Sequence, residues 1–518
     1  ESVGLVKFDF LGLRTLTILD WAMVNINAKR KALGEEPLDI EKIPLDDRKT
    51  FQMLQEGKTT AVFQLESRGM KELLKKLKPS CFEDIIALVA LYRPGPLESG
   101  MVDDFINRKH GRAAVSYPHP LLEPILKPTY GVIVYQEQVM QIASRLANYS
   151  LGEGDVLRRA MGKKDHEQML QQREKFSLGA QENGISEATA KAIFDKMEKF
   201  ASYGFNKSHA AAYGYLSYVT AYMKANYPKE WMAALLTCDS DDITKVAKFI
   251  SEAQAMGIKM LPPDINEAGI TFAAVPQGIR FSMSGIKGIG TGVVEVTIKE
   301  RTTRGHFSSL YNFIKRIDKR TVGKKAIENL VDAGCFDFTG WSRDELRESV
   351  EPIYESALKE QKEKESGVMT FFAMLGDSDE SRFSKAPKVK QQRSTIDLLL
   401  KEKELLGFFL TGHPMDAHKK VLNRLSCVPI AHLHTLPDSA VFRSAFIVET
   451  AQVRVSQKTQ KKFAILTISD GINRHELPIW SDLYEEKQHL LKENQLLYAV
   501  LQSEKKEGDI SLSCRWLD

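Results

Sequence analysis

Cysteine is scarce and scattered. The five residues Cys81, Cys238, Cys335, Cys427 and Cys514 lie far apart, and no two form a CxxC pair. That argues against a structural zinc site and against a disulfide framework, and it leads us to expect a cytoplasmic protein. Long apolar runs are missing as well: none approaches the roughly 20 residues of a membrane span, and no signal-like stretch is present, so no membrane partner is expected. No Ser/His/Asp or Cys/His arrangement points to nucleophilic catalysis, and no repeat of fixed period is evident. Nor is there an excess of one charge. With 72 Lys+Arg against 68 Asp+Glu the formal net charge is +4, so any grip on a polyanion must come from local basic stripes. What remains is ordinary soluble composition, 43% hydrophobic and 27% charged, over 518 residues. A chain of that length divides into several domains.

The opening segment Gly4–Leu11 is strand-like and begins without Met, which reads as a cut through a domain with something upstream. Helical patterns then dominate to about Pro263. Val139, Ile142, Ala143 and Leu146 keep the 3.6-residue period. Ser208 is placed to cap a helix running through Tyr215 and Tyr222 toward Pro228. Arg93-Pro-Gly-Pro96 and Lys127-Pro-Thr-Tyr-Gly131 punctuate the helices as turns. Short helices with Gly-containing turns fill 281–340, and the polar stretch 376–394 reads as a mobile linker. From about Val428 the pattern changes to strands at 444–455, 463–468 and 476–480, a helix at 484–493, and strands at 496–502 and 510–514. Three strands, a helix and two strands is the order of an OB-fold barrel, which often holds single strands.

Several clusters carry possible chemistry. Lys7 and Asp9 project from the same side of the first strand, which suits a metal–phosphate complex; spacing alone favours a plain ion pair at a sheet edge. Arg158, Arg159, Lys163 and Lys164 lie within two helical turns, with Leu157 and Met161 on the apolar side. They make either a phosphate or triphosphate site or a solvated basic face. Asn206, Lys207, Ser208 and His209 stand at a helix N-terminus, where amides and the dipole favour anions. The plainer reading there is a capped helix with a buried His209. Tyr215, Tyr218 and Tyr222 share one face, and core packing explains them better than base stacking. Ser284–Gly292, with Lys287, Gly288 and Gly290, has the helix–hairpin–helix pattern that binds DNA without reading bases; an ordinary Gly-rich turn is the alternative. In the barrel, Arg454, Lys458, Lys461, Lys462 and Arg474 are expected to cluster around the first strand-to-strand loop near Phe463 and Trp480. Asp239–Asp242 reads as a capping loop, and His432 with His434 lacks the partners a zinc site needs.

Taken in order, Lys7-Phe-Asp-Phe-Leu-Gly-Leu-Arg-Thr-Leu16, Ala61-Val-Phe-Gln-Leu-Glu-Ser-Arg-Gly-Met70, Tyr92-Arg-Pro-Gly-Pro96, Tyr135-Gln-Glu-Gln-Val-Met140, Leu157–Lys164, Tyr203–His209, Leu261-Pro-Pro-Asp-Ile-Asn266 and Gly407–Pro414 closely resemble the bacterial DNA polymerase III alpha subunit family, the family C replicative polymerases. The resemblance covers almost the whole chain. It implies a multidomain, mainly α protein with a short α/β palm remnant at 1–14, fingers at 15–262, a helix–hairpin–helix and clamp-binding region at 263–420 and an OB-fold at 421–518. It implies a DNA-directed DNA polymerase that adds dNTPs to a primer 3′ end by two-metal phosphoryl transfer with Mg2+. Asp9 matches a metal-binding palm carboxylate, with Lys7 near the nucleotide phosphates. Arg158 and Arg159 match residues that hold the incoming triphosphate, helped by Lys163 and Lys164, and Asn206–His209 surround the nascent base pair. The hairpin and barrel would hold primer–template DNA.

Two departures from the family pattern matter. Two further palm carboxylates are absent, so the chain alone is expected to be inactive. The clamp-binding peptide is Val368-Met-Thr-Phe-Phe372, in which Phe371 and Phe372 keep the apolar anchors but Val replaces the usual Gln, weakening the case for a sliding-clamp partner. Other replicase subunits are the remaining expected partners. A rival reading is a non-enzymatic DNA-binding accessory protein built on the hairpin and barrel. An NAD-dependent DNA ligase would need a four-Cys zinc site that the cysteine spacing rules against.

Overall fold

The computed structural model describes residues 12–163, 166–201, 203–366, 382–457, 459–470, 474–506 and 509–518. Lys7, Asp9, Lys164, Phe371, Phe372 and Lys458 fall outside the described residues. The chain divides into two compact units between Trp231 and Met232, inside the Pro228–Cys238 helix.

The first unit is helical. One core joins the Gln136–Ala147, Leu151–Lys163, His166–Glu182 and Glu187–Ala201 helices through Val139, Ile142, Leu146, Leu157, Met161, Phe176 and Phe194. The 3.6-residue spacing of Val139, Ile142 and Leu146 thus becomes one buried stripe, and Leu157 and Met161 bury the side opposite the basic residues. A second contact runs along the Lys207–Asn226 helix. There Gly214 lets the backbone approach the Phe82–Leu91 helix so closely that a Cβ would meet Ile86 Cγ1 at 3.4 Å. Tyr218 is fully buried and donates to Pro44 O at 2.6 Å, while its ring meets Phe51 and Phe82. Tyr215 donates to Ile40 O at 2.9 Å, so these tyrosines are structural, as their spacing suggested. Lys224 is also buried and donates to Lys58 O at 2.9 Å and Thr60 O at 2.7 Å, where two carbonyls replace its lost hydration.

Buried polarity recurs at the start of the Phe82–Leu91 helix. Asp84, in its first turn, accepts from Ser80 N at 2.8 Å and Tyr130 Oη at 3.1 Å, and it pairs with Lys109 Nζ at 2.7 Å.

In the second unit the Ile243–Ala255 helix is capped by Asp242, which accepts from Lys245 N at 3.1 Å, so the acidic run is a cap as expected. A small sheet follows in the order β1-β3-β2, from β1 (Met260–Leu261), β2 (Ala273–Val275) and β3 (Gly278–Arg280), with β1 parallel and β2 antiparallel to β3. Short helices then run to the Arg343–Ser366 helix. The described end of the expected mobile linker is not loose. Arg393 bonds Asp344 Oδ1 at 2.5 Å and Asp332 Oδ1 at 3.0 Å, and Phe383 stacks on Tyr311 at 5.5 Å. Polar composition had signalled solvent, whereas these side chains are spent on ion pairs.

The C-terminal part is a five-stranded antiparallel sheet of order β6-β5-β4-β7-β8, from β4 (Val441–Val455), β5 (Lys462–Ser469), β6 (Arg474–Ile479), β7 (Leu496–Lys506) and β8 (Asp509–Leu517). Alternate residues Phe442, Phe446, Val448, Leu466, Ile468, Leu477, Leu497, Leu501 and Leu512 fill its interior. The edge strands β6 and β8 approach each other, which curls the sheet toward closure. The helix after β6 is Ser481–Lys487, shorter than the 484–493 expected, and Tyr484 on it plugs the core. Strand order, helix position and closure are those of an OB-fold.

Candidate functional site

The basic helix Leu151–Lys163 presents Arg158 and Arg159 on its outer face. Asp155 holds both: its Oδ1 meets Arg158 Nη2 at 2.9 Å and its Oδ2 meets Arg159 Nη2 at 2.5 Å. The hydrogen bond from Arg158, followed by that from Arg159, keeps the Asp155 carboxyl below its usual range. Arg159 remains 66% exposed against 33% for Arg158, so a ligand reaches the pair from solvent. Lys163 is the last residue of this helix.

The second candidate segment lies beside the first. Phe205 bridges to Tyr135, with Gln136 N donating to Phe205 O at 2.9 Å and Phe205 N to Val134 O at 3.1 Å. Gln136 spans the two clusters: its Oε1 accepts from Arg158 at 3.2 Å, and its Nε2 donates to Gly204 O at 3.2 Å. The N-cap of the Lys207–Asn226 helix is Asn206 rather than Ser208, and it accepts from His209 N at 2.8 Å. Glu137 takes a further donor of that helix start, Lys207 N at 2.9 Å, and binds Asn206 Nδ2 at 3.0 Å. A carboxylate of the chain therefore already answers this helix terminus, which reduces its pull on an outside anion. His209 is exposed, not buried: it stacks on Tyr213 at 4.3 Å and meets Phe205 edge-on at 5.4 Å. Arg93 covers the other side of Phe205, 4.5 Å from its ring centre, and donates to Tyr203 O at 2.6 Å. Lys207 Nζ lies 5.6 Å from the Tyr135 ring. Sequence reading missed Gln136, Glu137 and Arg93. Gln136 and Glu137 lay in the Tyr135–Met140 motif just before the helical period of Val139 and Ile142, and the structure puts Glu137 in the first turn of that helix; Arg93 sat in a turn motif read as punctuation.

In the second unit, Lys287, Gly288 and Gly290 are all exposed on the expected hairpin. Gly288 has φ +83°, and a Cβ on it would meet Asn329 Nδ2 at 2.7 Å, so glycine is required twice over. Asn329 ties the hairpin down by donating to Lys287 O at 3.1 Å. Gly290 caps the Thr291–Arg304 helix and supplies no side-chain hydrogen bond to its first turn. A second hairpin went unnoticed: the Leu310–Arg316 and Lys324–Asp332 helices flank Asp318–Gly323, and Gly323 caps the latter helix in the same bare fashion. The two turns are neighbours, since a Cβ on Gly292 would meet Thr321 Cγ2 at 3.8 Å. Lys324 and Lys325 following Gly323 were the available signal.

On the barrel, Arg454 faces Phe463 and Val455 faces Lys462 across β4 and β5. Phe463 stacks on Trp480 at 5.4 Å and 29°, and Trp480 is 58% exposed. Lys461 lies 3.6 Å from Asp482. Arg474 does not join this group. It pairs with Ser469 at the opposite end of β5 and bonds Glu449 at 2.6 Å, because β6 runs antiparallel and begins at the far turn.

Among the described residues no three His, Cys, Asp or Glu side chains group to hold a metal, and no helix is long and apolar enough to cross a membrane.

The pieces define a class. Residues 15–184 match the bacterial DNA polymerase III alpha subunit finger domain, and residues 257–346 match a helix–hairpin–helix motif, so this is a polymerase-type fingers unit followed by a helix–hairpin–helix module. Curated relatives extend the match to the whole chain: the DNA polymerase III subunit alpha of Chlamydia pneumoniae is 56% identical over 100% of this chain and 41% of the relative. Those of Escherichia coli K12 (46% identical, 96% and 43%) and Pseudomonas aeruginosa (44% identical, 99% and 45%) agree. The chain belongs to the bacterial DNA polymerase III alpha subunit family and spans about two fifths of the length of these relatives.

Proposed function

We propose that the chain supplies the nucleotide-gripping fingers and the DNA-holding modules of a replicative DNA polymerase. The observation that supports this is that Asp155 pairs with both Arg158 and Arg159, while Gln136 links Arg158 to Gly204, two residues before the exposed Asn206–His209 segment. Arg158 and Arg159 take the triphosphate of an incoming dNTP, a role in which Lys163 and Lys164 assist, while Asn206, Lys207, Ser208 and His209 face its base. The paired hairpins at Lys287–Gly290 and Asp318–Gly323 hold duplex phosphates, and the Arg454, Lys461, Lys462 and Trp480 face holds a single strand.

Mg2+-dependent transfer to the primer 3′ end is the reaction this assembly serves. Among the described residues no group of His, Cys, Asp or Glu side chains fits a resident metal. Asp9 with Lys7 is the metal and phosphate contribution assigned to this chain; one carboxylate is too few for two ions about 4 Å apart, so the chain alone does not polymerise. A nucleotide-incorporation assay on the chain checks this, and Mg2+-dependent synthesis refutes it. The nucleotide site is tested by dNTP protection of the 151–163 helix from proteolysis or hydrogen exchange. Protection lost in Arg158→Ala/Arg159→Ala supports it, and no protection in the parent chain removes it, which would favour the non-enzymatic DNA-binding reading. A clamp partner through Phe371 and Phe372 is tested by a pull-down with Phe371→Ala and Phe372→Ala.

A further inference from the structure

The fingers unit contains a run of rings that extends beyond the residues assigned above. From Arg93 over Phe205 it passes to His209 at 5.4 Å, Tyr213 at 4.3 Å and Phe63 at 5.5 Å. His209 and Tyr213 are one helical turn apart on the Lys207–Asn226 helix, so their faces align by geometry. Phe63 arrives from a separate loop. His209 is exposed, and Phe205, Tyr213 and Phe63 are each only partly covered. Tyr218, on the same helix, is by contrast fully buried.

The loop that delivers Phe63 is held rigidly at a conformational cost. Ala61 has φ +64° and Gln64 φ +63°, both in the left-handed region that side chains avoid. Around them, buried Lys224 holds Lys58 O and Thr60 O, Thr59 Oγ1 donates to Leu65 O at 2.6 Å, and Phe63 N donates to Thr220 Oγ1 at 3.1 Å. Three separate anchors thus fix a loop whose outward product is Phe63 beside Tyr213, with Gln64 exposed next to it. Strain retained by surrounding contacts is what a preorganised binding surface requires.

We propose that Phe63, Tyr213 and His209 form a stacking platform for an unpaired base of a DNA single strand, with the Ala61–Gln64 loop as its fixed end. Every base offers a π-face, so such a platform accepts any sequence. The ligand is nucleic acid rather than an apolar peptide because cations stand beside the platform: Arg93 lies over Phe205, which meets His209 edge-on, and Lys207, two residues before His209, lies over Tyr135. The inference rests on the reading that this surface handles nucleotides, and it adds the residues that hold the unpaired base.

The test uses the whole chain and a primer–template whose first unpaired template base is 2-aminopurine, a fluorophore quenched by stacking. Binding is expected to quench it in the parent chain. An abasic site at that position should weaken binding roughly tenfold. Tyr213→Leu and Phe63→Leu should lose the quench and the sensitivity to the abasic site, while Tyr213→Phe keeps both. If the parent chain binds the DNA with the fluorophore unquenched, or binds abasic and normal overhangs equally, the platform is overturned while the broader assignment stands. If it binds no DNA at all, both fall. The abasic comparison needs no variant, so a Leu substitution that fails to fold does not blunt the test.

Discussion

Replacing Lys109 by Met should loosen the fingers unit far more than a surface charge change would. Asp84 and Lys109 are 1% and 7% exposed at the side chain, with Nζ and Oδ2 at 2.7 Å. Burial pushes the Asp84 carboxyl up, but the Lys109 hydrogen bond and the Ser80 amide outweigh it and leave it below its usual range. Lys109→Met keeps the volume and removes the cation, so a buried carboxylate is left with neutral donors only. Breaking such a pair costs about 3–5 kcal/mol. Because the chain has two compact units, a single melting temperature is not the quantity to read. Hydrogen exchange in the Phe82–Leu91 helix is: at about 1.4 kcal/mol per decade, its protection should fall on the order of 10²- to 10³-fold. Asp84→Asn added to Lys109→Met should recover more than half of that. In the parent chain the stabilisation is complete above about pH 4 and fades as pH falls through the lowered folded value, since the carboxyl ionises more readily folded than unfolded. Acceleration below about tenfold in Lys109→Met, or no recovery in the double variant, would mean that water solvates the pair and that the burial argument is wrong.

Gly288→Ala forces a side chain at φ +83° against Asn329, at a cost of about 1–2 kcal/mol, and duplex affinity should drop while dNTP protection of the first unit persists. Trp480→Ala should weaken single-strand binding by about 1–3 kcal/mol with the salt slope unchanged, whereas Lys461→Ala/Lys462→Ala should flatten the slope; titrations at several salt concentrations separate them. Asn206→Ala removes the cap of the Lys207–Asn226 helix and should cost about 1 kcal/mol, read as faster exchange in its first turns with the core of that helix unaffected.

Periodic features were legible in the sequence because one physical rule decides them. Val139, Ile142 and Leu146 had to share a face, and alternating Phe446/Val448 and Leu466/Ile468 had to fill a barrel. Gly288 was legible for a similar reason, since few residues tolerate its backbone. Partnerships between distant side chains were not. Arg474 was grouped with Lys461 by sequence proximity, but antiparallel pairing carried it to the other end of the strand, beside Glu449. Ser208 and Asn206 are both good caps, and only the fold shows that Asn206 serves, accepting from His209 N while Glu137 of another helix holds its Nδ2. The stretch 376–394 was read as mobile from its polarity, which cannot reveal that Asp332 and Asp344 await Arg393.

The single carboxylate shared by Arg158 and Arg159 has a consequence for which anions the surface admits. Two guanidiniums with one bound carboxylate present about one net positive charge, not two, and their forks are already engaged. A monovalent or weakly charged visitor such as inorganic phosphate gains little by displacing Asp155, while a polyphosphate chain can engage both forks together and dislodge it. Asp155 would then act as a threshold on charge number, and side-by-side competition by phosphate, pyrophosphate and triphosphate would expose it as a step rather than a gradual rise; a smooth rise would count against it.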